Sequence, residues 1–150
     1  MIVNNTDIIS VKETRTDWGD FPPVISNGKI GELKNEPEYQ EAKSGDFNQS
    51  MALVEKLLKD ETIDRIKTLI GDEKPIILPV LSEELTGKNR IPQATAYALA
   101  VSLELEVDTN IYQDNTAKRT GTGIYHRYIA PPEFKGEVKS GQSYLIVDDT

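Results

Sequence analysis

Cysteine is absent from the 150-residue chain. That excludes disulfides, thiol catalysis and cysteine-based zinc sites, and it fits a cytoplasmic protein. Histidine occurs once, at His126, so a metal site built on several histidines is excluded. No apolar stretch approaches the roughly 18 residues of a membrane span. The opening residues Met1-Ile2-Val3-Asn4-Asn5-Thr6-Asp7 have neither a basic segment nor a long apolar one, and they read as no signal peptide. Basic residues are few: 17 Lys and Arg stand against 25 Asp and Glu, a net charge of −8. A nucleic-acid surface needs a basic footprint, and an anionic membrane surface attracts basic segments, so the balance argues against both partners. An anionic small ligand stays open, because local basic loops or a bound Mg²⁺ override net charge.

The length suits one compact domain, and a hydrophobic content of 37% is enough to build its core. Residues 1–45 are the least regular and read as an N-terminal arm, seated on the body by Trp18 and Phe21. Residues 46–150 read as the body. Within it, residues 47–70 form two helices, the first with Met51, Val54, Leu57 and Leu58 on one face. The second carries Ile63, Ile66, Leu69 and Ile70, with Asp60 as N-cap and Gly71 as its end. Pro75 to Leu81 is a short buried strand. A polar loop from Ser82 to Arg90 follows, then a helix with Ala94, Tyr97, Ala98, Val101 and Leu105 as its inward stripe. Glu106 to Tyr112 is the next strand, which completes a βαβ unit. A polar, glycine-containing stretch runs from Gln113 to Gly123, and Ile124 to Ile129 is a further strand.

The chain's most informative segment is Tyr144-Leu145-Ile146-Val147-Asp148-Asp149-Thr150. The apolar run reads as a strand buried on both faces, as in a parallel sheet. Ligands of open α/β sheets bind at the carboxyl ends of such strands. Two adjacent carboxylates there are costly unless something positive or hydroxyl-rich meets them; the alternative is a solvated strand end.

This segment, with the turn Glu137-Val138-Lys139-Ser140-Gly141-Gln142 before it and the βαβ unit upstream, resembles the type I phosphoribosyltransferase family over residues 46–150. The resemblance implies a three-layer α/β/α fold with a mostly parallel sheet. It implies an enzyme, a pentosyltransferase that moves ribose 5-phosphate from phosphoribosyl diphosphate (PRPP) to an acceptor with release of pyrophosphate, in nucleotide metabolism. By the same resemblance Asp148, Asp149 and Thr150 bind the substrate, and the two aspartates hold the ribose and a Mg²⁺ ion, directly or indirectly. Lys88 and Arg90, in the loop Ser82–Arg90, meet the pyrophosphate. Lys118 and Arg119, in the segment Asn115–Gly123, are the catalytic basic residues brought in by a closing loop. Glu83-Glu84 departs from what a pyrophosphate loop wants, and both loops have a plain solvated alternative. His126 and Arg127 lie in the same stretch, with surface or packing roles as the alternative for the histidine.

The family's phosphate loop and later strands do not follow Thr150. The expectation is therefore an incomplete sheet with an open edge at residues 143–147, completed by the rest of a longer enzyme, by a homodimer or by a second chain, or else a degenerate domain that no longer binds PRPP. Two other readings stand beside the enzyme. One is a non-catalytic nucleotide- or PRPP-binding regulatory module. The other is an interaction protein that works through the open sheet edge.

Overall fold

In a computed structural model the described residues are 22–29, 31–84, 87–114 and 133–149. They carry four α-helices: α1 (Tyr39–Ser44), α2 (Phe47–Leu57), α3 (Asp60–Ile70) and α4 (Ile91–Leu103). The strands are β1 (Ile76–Pro79), β2 (Glu83–Glu84), β3 (Gly87–Lys88), β4 (Tyr112–Gln113), β5 (Phe134–Lys135) and β6 (Tyr144–Val147). Together they make a mixed α/β domain.

β1 is the central strand. On one side it pairs in parallel with β6, in a register that sets Ile76 against Tyr144 and Pro79 against Val147. On the other side the Ile77 amide donates to the Glu106 carbonyl at 2.8 Å and the Asp108 amide to the Ile77 carbonyl at 2.9 Å, a parallel bridge at Val107. The strand expected over 106–112 is shortened to this bridge. Its continuation is broken by Asp108, whose carboxylate accepts the Asn110 amide at 2.8 Å and turns the chain. Tyr112 and Gln113 then pair antiparallel with β5.

The helices follow from local chemistry. Asp46 caps α2, its carboxylate accepting the amides of Asn48 and Gln49 at 2.9 and 3.0 Å. Lys59, rather than Asp60, stands at the cap of α3, and Asp60 and Glu61 occupy the first turn, where the helix dipole favours acids. Pro92 lies in the first turn of α4, where its missing N–H costs nothing.

Two apolar clusters hold these elements. The larger joins Ile66 of α3, Ile77 of β1, Ala96, Leu99 and Leu103 of α4, and Val147 of β6. The smaller joins Tyr39 and Ala42 of α1, Leu53 of α2 and Ile91 of α4, so packing runs across positions 45 and 46. α4 turns a different face inward from the expected one. Ala94 is buried, but Tyr97 is exposed and Val101 is 83% exposed, while Ala96, Leu99 and Leu103 face the core. The helix is apolar nearly all round, so contact with Ile77 and Val147 selects its face, not periodicity.

β6 also departs from expectation. It is not buried on both faces: Val147 is buried, Leu145 is half-buried, and Ile146 is 66% exposed. Side chains alternate across a strand, so Leu145 and Val147 face the helices and Ile146 faces away.

Candidate functional site

The alternation of β6 continues into the two aspartates and gives them different surroundings. Asp149 shares the inner side with Val147. Its side chain is 12% exposed, and its Oδ2 accepts the side-chain amide of Asn89 at 2.7 Å. The Lys43 ammonium lies 3.4 Å from the same oxygen. Asp148 lies on the Ile146 side and is exposed as a residue. Its Oδ1 turns back to accept the Asp149 amide at 2.9 Å. Desolvation of this carboxyl raises its pKa above the ordinary 3.8. The adjacent Asp149 charge adds to the rise, against the lowering effects of the Asp149 amide and of Lys43.

Three elements build this junction. Asn89 is 3% exposed and uses both ends of its amide group: Nδ2 reaches Asp149, and Oδ1 accepts the Ile91 amide at 3.2 Å at the start of α4. Lys43 comes from α1, where its ammonium also stands 5.5 Å from the centroid of the Tyr39 ring. α1 is held in place by the β2–β3 hairpin. The Arg90 amide donates to the Ala42 carbonyl at 3.3 Å, and Gly87, at φ 134°, lies so close to Ser44 that a Cβ would strike its carbonyl oxygen.

Of the residues singled out from sequence, Asp149 meets the end of the Ser82–Arg90 segment, through Asn89 and not through a basic side chain, while Asp148 stands apart on the other side of the strand. Lys88 sits exposed on β3. The Arg90 Nη1 donates to Gln93 Oε1 at 2.6 Å, in the first turn of α4. The segment is a short antiparallel hairpin, with Glu83 opposite Lys88 and Glu84 opposite Gly87. Lys118, Arg119, His126, Arg127 and Thr150 lie outside the described residues. Asn89 and Lys43 went unnoticed in the sequence. An asparagine whose side chain accepts the amide two residues on makes an Asx turn, a short-range signal; nothing local marks Lys43, 106 residues from its partner.

The junction does not suit a Mg²⁺ ion shared by both aspartates. Asn89 and Lys43 both engage Asp149 Oδ2, and Asp148 Oδ1 is turned back onto the Asp149 amide, so neither of these oxygens faces a shared cation. Among the described residues no group of three or more His, Asp or Glu is placed to hold a metal, and no helix is long and apolar enough to cross a membrane.

No family model matches the chain, and no solved structure matches it. It is similar to Protein TraN of Escherichia coli, 53% identical over 136 residues, which cover 91% of this chain and 30% of TraN. It is also similar to an uncharacterized protein of Haemophilus influenzae, 36% identical over 153 residues, covering 99% of this chain and 34% of that protein. These findings overturn the phosphoribosyltransferase resemblance, and with it the transfer of ribose 5-phosphate from PRPP and the place in nucleotide metabolism. The physical reason is that an apolar strand ending in carboxylates belongs to parallel sheets in general. Here one of the two acids is committed to a structural junction and not presented to a ligand. The chain spans about a third of the length of the curated relatives it matches.

Proposed function

We propose that this chain is a contact segment of a larger TraN-like protein, and that it receives a further strand along the open side of β6. One observation carries the reading. Ile146 is 66% exposed in the middle of an apolar strand whose other edge is paired with β1. Among the described residues nothing pairs with the outer edge of β6. Parallel strands are ordinarily covered on both faces, and an unpaired apolar edge is a template for another strand. Side chains stand out of the sheet plane, so a strand on this edge covers the flank of Ile146 and supplies only part of the roughly 1.5–3 kcal/mol that full burial of an isoleucine contributes.

The relatives' length favours a strand from the same polypeptide, since two thirds of each lies outside the match. A second copy of the chain would bring −8 against −8, which opposes self-association. The test uses the Haemophilus influenzae relative, which matches 99% of this chain. Lysine is placed at the residue matching Ile146, once in the whole relative and once in the matching segment alone. The whole relative should lose about 1 kcal/mol or more of stability, a part of the full-burial value, and the segment less than about 0.5 kcal/mol. Small effects in both would refute the reading.

A further inference from the structure

β6 repeats its chemistry at successive positions. Leu145, Ile146 and Val147 are three branched apolar residues, and Asp148 and Asp149 are two carboxylates. A one-residue shift of a strand carries every side chain to the opposite face. In most half-buried strands this is forbidden, because it drives polar groups into the core. Here a forward shift by one residue brings Ile146 to the place of Val147 against α4. It brings Asp148 to the place of Asp149, within reach of Asn89 and Lys43. Val147 and Asp149 move to the open side. The core still receives an apolar residue, and the junction still receives a carboxylate.

We propose that β6 occupies two registers against β1: the observed one, and one shifted by a single residue in which Asp148 replaces Asp149 at Asn89 and Lys43. The observed register is the major one for a reason visible at the other end of the strand. The Tyr144 hydroxyl accepts the Lys139 amide at 3.0 Å. The shift breaks this bond and turns Tyr144 inward in place of Leu145. The shift also pulls Gln142 away from the Lys74 carbonyl, to which its side-chain amide donates at 3.3 Å. At the far end the contacts are conserved in kind: Asn89 keeps its bond to the Ile91 amide and meets a carboxylate in either register. A minor state of this sort is populated at roughly 0.1–10%. The device changes what the open side presents, Ile146 with Asp148 in one register and Val147 with Asp149 in the other. It stands independently of what docks there.

The test is disulfide trapping. The chain has no cysteine, so two introduced cysteines are its only thiols. Neighbouring strands lie about 4.8 Å apart, within the Cα range of a disulfide. L78C/I146C bridges the observed register, in which Leu78 faces Ile146. L78C/L145C bridges only the shifted register, because in the observed one those side chains point to opposite faces. L78C/I146C should oxidise rapidly. L78C/L145C should oxidise in the folded chain about 10- to 1000-fold more slowly, in line with a minor population. Adding Ile146→Lys should abolish the second disulfide, because the shift would bury the introduced ammonium. The same contrast is read at the strand's start with I76C/S143C, should L78C/L145C not fold. The proposal is overturned if neither shifted pair closes in a folded chain, or if closure is as fast with Ile146→Lys as without it, since the bridge would then come from unfolded chain.

Discussion

Asn89 donates its side-chain amide to Asp149 at 2.7 Å across 60 residues of sequence, and with its other end it accepts the first free amide of α4. The end of β6 and the start of α4 are thereby joined through one buried side chain. Lys43 adds a third element, α1, through the same carboxylate oxygen. A partly buried junction of this kind is costly when half of it is removed, because the partner is left unsatisfied.

Asp149→Ala should therefore destabilise the chain by about 1–3 kcal/mol, and Asp149→Asn by less, because it keeps an acceptor for Asn89 and loses only the ion pair. Asn89→Ala should cost a similar amount. The double variant should cost less than the sum, with a coupling of about 0.5–3 kcal/mol. Urea unfolding of the four proteins measures it; strict additivity would mean that the two residues do not act together.

Asp148 predicts a pH dependence of the opposite sense to a salt-bridged acid. Its pKa is raised in the folded state by desolvation and by Asp149, so the folded chain holds this proton more readily than the unfolded one. Stability from this group is greatest at low pH. It falls as pH rises from the ordinary value near 3.8 through the raised one, and stays reduced at neutrality. Asp148→Asn should raise the melting temperature at pH 7 and leave it unchanged below about pH 3, where both states are protonated. A variant that melts lower at pH 7 would show that the carboxylate has a stabilising partner.

Gly87 is the point where the β2–β3 hairpin meets α1. Its φ of 134° and the nearness of the Ser44 carbonyl leave no room for a methyl group. Gly87→Ala should cost about 1–3 kcal/mol, with faster amide exchange in α1 than in α3. Equal protection of both helices in the variant would show that the hairpin does not hold α1.

The face of α4 is checked by a pair of substitutions. Leu99→Ala, in the larger cluster, should cost about 2–5 kcal/mol. Val101→Ser, at a position 83% exposed, should stay within about 0.5 kcal/mol. Chemical denaturation of both variants distinguishes this face from the one the periodicity suggested.

What was legible in the sequence follows from which signals are local. The apolar runs that became β1 and β6, the proline in the first turn of α4 and the glycine that ends α3 are read within a few residues, and they mark α2, α3 and α4 to within a residue or two; the Asp46 cap of α2 was not read, and Asp60 proved to be a first-turn residue behind Lys59. The inward face of α4 was not legible, because Ile91 to Leu103 is apolar on nearly every side and only Ile77 and Val147 select it. The strand expected over 106–112 stops at its bridge because Asp108 turns its own backbone toward Asn110, a short-range competition that β-propensity ignores. The two aspartates were legible as a strand end. Their separate roles were not, because the period-two alternation assigns them only once the face of Val147 is known. Lys43 entered the junction through the packing of α1 on the hairpin, which no local pattern announces. The resemblance to a transferase family failed for the same cause: it weighed the residue types at the strand end without knowing which of them was already engaged.

The most direct test of the open side of β6 is amide hydrogen exchange at the strand matching Tyr144–Val147, in the whole Haemophilus influenzae relative and in its matching segment. The parallel register with β1 turns the amides of Leu145 and Val147 toward β1 and that of Ile146 outward. In the segment the amide matching Ile146 should exchange rapidly between two protected neighbours. In the whole relative it should become as protected as they are. If it exchanges as fast in the whole protein as in the segment, no strand is added there and β6 is simply an edge.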